Sequence, residues 1–491
     1  MGGGPAALPR PRRPRVRSSD HAGSMTSTEA NPSGVPARPS PIGHRTVLAI
    51  AIPMTLAHLS TPLVGIVDGA LIGWTGDAAM MGGIAVGALA FDILFSFFSF
   101  LRMGTTGLAA QAFGAGDKTE QRAVLARALM AAVVLGAWLV VCAVPLCWAF
   151  VTAIGASPAV NTAFAGYFMV RILAAPLTLL NYSVLGWVVG IGRAGIGLAL
   201  QLLLNGVNMA AGVALVWGLG LGTAGAGGAA VAAEAVAAVA GLVVVVVLTR
   251  GGAWPAWARL AERRAVVATF AVNRDIMIRS VALTAALGFF TAQGARHGDV
   301  VLAANAVLFN LVLAGSYFLD GLATAAEQLA GRAIGARQPD DFRRAVSLSV
   351  GWGFFMAGVL TAIFALGGPT LIDLMTASPE VREMARHYLF WVLLAPAFGV
   401  LAFELDGVFI GATWSSTMRD MMLVSLAGYF ALWAVLAPMF GNHGLWAALI
   451  GFFGLRGLTL AACLPRRLKR AFAAAPYAPR AAQSAASHPT A

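Results

Sequence analysis

An acidic residue in the middle of an apolar run is the clearest candidate for chemistry in this sequence. Asp68 lies in the stretch GIVDG at residues 65–69, with apolar residues on both sides. A carboxyl group in such surroundings is cheap to bury when neutral and costly to bury when charged, so its protonation can bias two conformations. We therefore expect Asp68 to carry protons. A structural aspartate that is paired to a neighbouring helix is the alternative.

Amide and phenol side chains in two later apolar runs are candidates to support Asp68. Asn205 and Asn208 lie in the fifth apolar run, and Asn181 with Tyr182 lies in the fourth. Buried amides must be hydrogen-bonded, so these side chains could hold the Asp68 carboxyl group or a substrate. Simple hydrogen bonds between helices would use them equally well.

Other ionisable residues in apolar runs are weaker candidates, and most have a basic residue within reach for pairing. We expect most of the acidic ones to be structural, with Asp320 and Asp406 as candidates for a second site because they lie nearest the middle of their runs. His58 could join a proton relay, although helix packing is the more ordinary use of such a histidine. The remaining acidic residues of this group are Asp92, Glu234, Glu327 and Glu404.

Sequence motifs of soluble enzymes are missing. The chain has no Walker loop ending in Lys-Ser or Lys-Thr and no His-Glu-x-x-His metal motif. GLGTAG at residues 220–225 has the spacing of a dinucleotide loop, but it lies between two apolar runs without a preceding strand. The three cysteines have no metal-ligand spacing. We expect no catalytic residues, no metal site and no cofactor beyond a coupling ion.

The elements that must position these residues are membrane helices. Of the 491 residues, 59% are hydrophobic and 11% are charged, whereas soluble domains carry about 25% charged residues. Apolar runs of more than about 18 residues indicate transmembrane helices. Twelve are predicted, approximately at 46–73, 84–111, 123–152, 162–189, 196–217, 226–249, 268–293, 302–333, 344–373, 384–411, 417–438 and 444–464.

The distribution of basic residues explains the net charge of +12, which alone could suggest a nucleic-acid-binding protein. If the N-terminus is cytoplasmic, 27 of the 33 lysine and arginine residues fall on the cytoplasmic side. This bias predicts an inner-membrane protein with both termini in the cytoplasm and no nucleic-acid partner. Residues 1–43 lack an apolar segment and are expected to form a disordered basic tail.

The two halves of the sequence resemble each other. QAFGA at residues 111–115 is matched by RAIGA at residues 332–336, and Arg122 and Gly190 recur as Arg343 and Gly411, all at a distance of 221 residues. Six helices in each half would give both halves the same orientation in the membrane. Parallel repeats with a cavity between two bundles are typical of secondary transporters that work by alternating access.

Aromatic residues are concentrated in the second run and at the start of the second half. They include Phe91, Phe95, Phe98, Phe289 and Phe290. Such side chains can bind flat, apolar or cationic guests by stacking and cation–π contacts, although lipid-facing positions would also explain each of them.

Several motifs resemble those of multidrug and toxic compound extrusion (MATE) transporters, in particular the DNA-damage-inducible-F-like branch. They are IP at 52–53 with PLVGIVD at 62–68, FLRMGTTGL at 100–108 with AQAFGAG at 110–116, GARHGD at 294–299 with AAN at 303–305, YFLDGLA at 317–323, and DGVFIGAT at 406–413. The resemblance extends from about residue 45 to residue 465.

The resemblance implies an all-α protein with two six-helix lobes in a V that exports organic compounds in exchange for protons or Na⁺. We expect an N-lobe at 44–250, a cytoplasmic connection at 251–275, a C-lobe at 276–465 and a cytoplasmic tail at 466–491. The family's first-helix acid falls on Asp68, its fifth-helix asparagine on Asn208 and its fourth-helix asparagine on Asn181.

One departure from the family pattern bears on the coupling ion. Some members have a second acid four residues after the fifth-helix asparagine, where this chain has Gly212. Hard cations require several oxygen ligands, so the loss of this acid favours proton exchange over Na⁺. We expect a monomeric proton-coupled antiporter for cationic or amphiphilic drug-like compounds. Na⁺-coupled export, a flippase for lipid-linked precursors, and a membrane-embedded enzyme or assembly factor are the alternatives.

Overall fold

The described part of the chain is built from α-helices. The structure is a computed structural model that describes residues 1–3, 42–73 and 77–473. The first half contains α1 (His44–Gly73), α2 (Ala78–Phe97), α3 (Phe100–Gly114), α4 (Lys118–Val141), α5 (Ala143–Ile154), α6 (Pro158–Arg171), α7 (Ala175–Gly190), α8 (Ala194–Gly212) and α9 (Gly222–Thr249). After the short α10 (Trp257–Leu260) come α11 (Arg263–Ala295), α12 (Asp299–Gly335), α13 (Pro339–Met375), α14 (Pro379–Gly411), α15 (Ser415–Phe440) and α16 (Asn442–Ala473).

Twelve helical segments of the described residues are long and apolar enough to cross a bilayer, as the sequence predicts. In the first half, α2 with α3 forms one such segment and α6 with α7 forms another. No strand occurs between residues 42 and 473 outside the undescribed gap. The prediction of an all-α membrane protein with two six-helix lobes is therefore confirmed.

Backbone conformation repeats between the two halves. Gly116, Gly192 and Gly220 have positive φ, and so do the residues 221 positions later, which are Arg337, Thr413 and Gly441. Gly116 and Arg337 are each followed by the same hydrogen bond at a helix end. The backbone amide of Asp117 donates to the Ala112 carbonyl, and that of Gln338 donates to the Ala333 carbonyl, both at 3.0 Å.

Helix starts repeat as well. Ser157 and Ser378 cap α6 and α14, and each is followed by a proline in the first turn. The matching caps and left-handed turns show that the internal duplication is a structural one.

Two helices are longer than their predicted apolar runs. α11 begins at Arg263, ahead of the run predicted at 268–293, and α16 continues to Ala473, beyond the run predicted at 444–464. Helices can extend past the apolar core of a bilayer, which hydropathy alone does not reveal. Most of the two expected tails lies outside the described residues.

The remaining connection is held against α4. Arg122 Nη1 donates to the carbonyl of Ala253 at 3.0 Å, and Arg127 Nη2 donates to the carbonyl of Arg259 at 3.0 Å. The guanidinium of Arg259 in turn pairs with Asp117 at 2.9 Å and Glu120 at 3.1 Å. These contacts tie the link between the lobes to the first lobe.

The two lobes meet most closely where α3, α12 and α14 end, which we call the closed end (residues 104–114, 321–335 and 403–413). A Cβ atom on Gly114 would lie 2.0 Å from the carbonyl oxygen of Arg332, and one on Gly335 would lie 1.9 Å from that of Gln111. Gln111 Nε2 also donates across the contact to the Gly411 carbonyl at 2.9 Å and to Thr413 Oγ1 at 3.0 Å. Backbone therefore packs against backbone at the closed end.

The packing around the glycines differs between the two halves of α1. A Cβ atom on Gly321 of α12 would lie 1.9 Å from Thr55 Oγ1 in the first half of α1, whereas one on Gly65 or Gly69 would meet no atom within 4 Å. The first half of α1 is thus packed against α12 of the second lobe, whereas the later half has open space beside Gly65 and Gly69.

Gly335→Ala is expected to destabilise the closed end by about 1–3 kcal/mol, because the added methyl group must push α12 away from α3. The temperature of half-unfolding in detergent, followed by tryptophan fluorescence, would measure the effect. Gly358→Ala on α13 is the matched control, since a Cβ there meets no atom within 4 Å. Equal stability of the two variants would contradict the tight backbone contact.

Candidate coupling site between the lobes

A polar cavity lies where the two lobes meet, beside the closed end. Its volume is about 40 Å³, which is room for about two or three water molecules and far too little for a drug-sized ligand. Both lobes contribute to its lining, the first through α1 and α3 and the second through α11, α12 and α14. The titratable and charged lining residues are His58, Arg102, Arg279, Asp320, Glu327 and Asp406.

Asp406 is held by two arginines. Arg279 of α11 donates a short hydrogen bond to Asp406 Oδ2, and Arg456 of α16 donates to the same atom at 2.5 Å. The Arg456 and Asp406 side chains are only 2% and 6% exposed. A buried charge needs such partners because its desolvation is costly. The arrangement gives Asp406 the features of an ionised structural residue.

The position of Arg279 corrects one interpretation of the sequence. We counted this residue among the 27 basic residues on the cytoplasmic side, but it lies roughly four turns into α11 and is buried against Asp406. The positive-inside rule assigns arginines to loops and so misses a buried one. The apolar residues Ile276 and Ile278 beside it were the available signal.

Asp320 and Glu327 bring two more carboxyl groups to the same cavity from α12. The structure therefore places both predicted second-lobe candidates, Asp320 and Asp406, at one site. Glu327, which we expected to be structural, is 3% exposed, and its Oε1 atom has no hydrogen-bond partner within the described residues. Sequence spacing could not show that α12 and α14 turn these groups toward each other.

The first lobe has a separate polar cluster. Asn181 Nδ2 donates to Glu234 Oε2 at 2.6 Å and to the Glu234 carbonyl at 3.0 Å. The guanidinium of Arg171 lies 4.7 Å from the Phe91 ring centroid and donates a short hydrogen bond to Tyr167. Glu234 thus brings a carboxyl group into the lobe through α9, where the family pattern gave no reason to look for one.

Tyr182 follows Asn181 on α7 and is half-buried. It packs against the large hydrophobic core that includes Phe91 and Phe168. Its place in a polar site of the first lobe stays a prediction.

Asn205 links α8 to α1. Its Nδ2 donates to Ser60 Oγ at 2.7 Å, and its Oδ1 accepts from Gln201 Nε2 at 3.2 Å. Asn205 therefore makes a hydrogen bond between helices, which was the alternative to contact with Asp68 or a substrate. Asn208 lies about one turn later on α8 and is half-buried. Asp68 lies on α1, but its side chain is outside the described residues, so its role as the proton carrier stays a prediction.

The aromatic residues do not form one exposed surface. Phe91 and Phe290 are 0% and 2% exposed, and each packs against further aromatic rings. These side chains therefore build the cores of the two lobes, because close-packed rings gain both area burial and favourable edge and stacking contacts.

Comparison with known proteins identifies the family to which this chain belongs. The MatE family model matches the chain twice, over residues 53–214 and 277–439. The chain belongs to the MatE family. The double match places one copy of the family's repeat in each half, in agreement with the repeated turns and caps.

Relatives of this MatE protein cover most of its length. It is 38% identical to the DNA damage-inducible protein F of Escherichia coli strain K12 over 417 residues, which are 84% of this chain and 90% of that protein. It is 26% identical to the probable multidrug resistance protein NorM of Caulobacter vibrioides, with 81% and 86% of the two chains covered. The predicted resemblance to the DNA-damage-inducible-F-like branch is thereby confirmed.

Solved structures share the fold of this MatE protein. A multidrug resistance MATE family transporter of the MOP superfamily, in its outward-facing conformation, matches with a TM-score of 0.77 at 17% identity, covering 88% of this chain and 97% of that one. A MOP superfamily transporter from Pyrococcus furiosus, described with a binding pocket of reversed polarity, has the same TM-score and identity. As a member of this family, the chain is a multi-pass membrane transporter and not an enzyme.

Proposed function

We propose that this chain is a monomeric secondary active antiporter of the inner membrane. It exports small organic compounds, cationic or amphiphilic ones above all, in exchange for protons. The observation that carries the proposal is the pair of matching six-helix lobes that meet around a buried polar cavity, because parallel repeats that can rock against each other are the architecture of alternating access. The names of relatives, which include a multidrug resistance protein and a multidrug export protein of Staphylococcus aureus, support the substrate class.

Asp68 is the proton carrier in this scheme. The absence of an acid at Gly212 leaves fewer oxygen ligands for Na⁺ beside Asn208. Each proton that moves inward supplies about 2.3 kcal/mol per 100 mV of membrane potential. This energy is enough for about fifty-fold accumulation of a neutral substrate.

In the proposed orientation the closed end faces the cytoplasm. Basic residues in the loops and helix starts beside it support this assignment, among them Lys118, Arg122, Arg343 and Arg344. The structure then corresponds to the outward-facing state, in which external protons reach the first lobe through the open side of the V. Protonation of Asp68 releases the substrate outward and prepares the return step.

Export by purified protein in liposomes tests the proposal. With a fluorescent organic cation as substrate, an imposed pH gradient in sodium-free buffer is expected to drive transport, and a sodium gradient at equal pH is expected to drive none. Transport that strictly requires sodium would overturn the proton assignment. Liposomes without protein are the control for passive leak of the dye.

A flippase for lipid-linked precursors is the second candidate, favoured by Arg102 and Arg279, which line the cavity, and by Arg456, which pairs with the lining residue Asp406. Asp320, Glu327 and Asp406 offset their charge, which is why we prefer organic cations as substrates. Movement of a fluorescent lipid-linked pyrophosphate across the same liposomes, without cation export, would favour the flippase.

A further inference from the structure

Glu327 is a buried carboxyl group that the exchange through Asp68 does not use. It lies on α12 at the contact between the lobes, is 3% exposed, and lines the water-sized cavity. Its Oε1 atom has no hydrogen-bond partner within the described part of the chain. A carboxyl group buried without a full set of partners inside a membrane protein is expensive and therefore points to function.

The groups that face Glu327 from the first lobe belong to α3. Arg102 lines the same water-sized cavity as Glu327, and the Thr106 hydroxyl one turn later donates to the Arg102 carbonyl at 2.9 Å. Arg102 Nη1 is buried and has no hydrogen-bond partner among the described residues. Glu327 and Arg102 are thus opposite charges from different lobes, and each has unused hydrogen-bonding capacity.

The other charged and titratable groups around the cavity are His58 on α1, Arg279 on α11, Asp320 on α12 itself and Asp406 on α14. Arg279 is already paired with Asp406 inside the second lobe. Arg102 has no salt-bridge partner within 4.0 Å among the described residues. The acids that face it across the cavity are Asp320 and Glu327, and Glu327 is the one at the backbone contact.

The backbone around Glu327 is closely packed, and its side chain is buried. A Cβ atom on Gly411 of α14 would lie 1.9 Å from the carbonyl oxygen of Glu327, and one on Gly331, about one turn later, would lie 2.7 Å from Ala110 Cβ of α3. Glu327 therefore cannot reach bulk water while the closed end is packed. Its proton must come through the few waters that the cavity can hold.

We propose that Glu327 is a second proton-binding group and that its carboxylate, facing Arg102 of the first lobe, is a latch that holds the closed end together. The inference rests on the proposed proton exchange and assigns a role to a residue beyond Asp68. A proton from the cavity water binds a carboxylate oxygen and removes the attraction to Arg102. The closed end then opens toward the cytoplasm, where the proton leaves and the negative charge is restored.

Distances across the closed end test the latch without any transport assay. Spin labels are placed at Lys118→Cys and Arg344→Cys, two exposed positions on different lobes, after replacement of the three native cysteines. Double electron–electron resonance in nanodiscs then gives the open population at neutral and at acidic pH. In the labelled parent, acidification is expected to raise the open population.

In Glu327→Gln the open population at neutral pH is expected to rise about tenfold, which corresponds to the loss of about 1.4 kcal/mol of closing interaction. Its further response to acid is expected to shrink. Arg102→Glu is expected to open the closed end in the same way, and the double variant Arg102→Glu with Glu327→Arg is expected to close it again, which a purely structural role of either residue would not produce.

Glu404→Gln is the matched control. Glu404 is a fully buried glutamate with two unpartnered oxygens, but it packs against Gly353 inside the second lobe and does not face the first. The latch is overturned if Glu327→Gln keeps the parent's pH response, or if the charge exchange fails to close the protein while the variant elutes as a folded monomer. Asp68→Asn separates the two proposals, because it is expected to abolish driven export and to leave the closing effect of Glu327 in place.

Discussion

Asp406→Asn is expected to lower the stability of the protein by about 3–5 kcal/mol, because it leaves two buried arginines without their shared carboxylate. Arg279 and Arg456 both contact the same oxygen of Asp406, and the Arg456 side chain is 2% exposed. Both guanidinium groups are largely buried, so bulk water does not replace the lost carboxylate. Chemical unfolding in detergent, followed by tryptophan fluorescence, is the measurement.

Asp340→Asn is the control for this prediction. Asp340 pairs with Arg343 at 2.9 Å, but its side chain is 92% exposed, and such surface pairs contribute about 0–1 kcal/mol. Equal stability of the two asparagine variants would contradict the prediction, because it would mean that the loss of the buried Asp406 carboxylate costs no more than the loss of an exposed one. The difference between the two variants therefore isolates the effect of burial.

Asp68→Asn is expected to abolish the coupling of export to protons. In liposomes with an inside-negative potential of about 100 mV, exchange of one proton per substrate molecule can support a substrate concentration ratio of about fifty across the membrane. In Asp68→Asn this ratio is expected to fall to about one. Asparagine keeps the size and hydrogen-bonding groups of a neutral aspartic acid but cannot lose a proton. Passive equilibration of the substrate is expected to remain.

Asp77→Asn is the matched control for Asp68→Asn. Asp77 lies nine residues later and caps α2 by accepting from the amides of Ala79 and Met80 at 2.9 and 3.0 Å. Asparagine caps helices as well as aspartate does, so accumulation is expected to be unchanged. Undiminished accumulation in Asp68→Asn would contradict the assigned role of the residue.

The architecture could be predicted from the sequence because its signals are long. A bilayer-spanning helix requires about 20 apolar residues, and a duplicated chain repeats its turns at a fixed distance. Two of those turns have glycines, at positions 116 and 192. Their counterparts, Arg337 and Thr413, adopt the same left-handed backbone without glycine, so no glycine indicated a left-handed turn there.

The site was harder to predict because it depends on contacts between distant helices. Asp406 could be recognised as an intramembrane acid, but its partner Arg279 was counted with the cytoplasmic basic residues, because the positive-inside rule does not show which arginine turns inward to pair with an acid. Asn181 was expected near Asp68, and its described partner is Glu234 of α9. Which face of each helix meets which neighbour is decided by packing and is not contained in local periodicity.

The exchange of protons for substrate is tested most directly by proton release on binding. If substrate and proton compete for one site, thermodynamic linkage requires that substrate binding releases the proton and that proton binding weakens substrate binding. In weakly buffered, sodium-free detergent solution, an organic cation that the protein transports is expected to release about one proton per molecule bound from the unmodified protein and none from Asp68→Asn. Substrate binding without proton release, or proton release that persists unchanged in Asp68→Asn, would contradict the account.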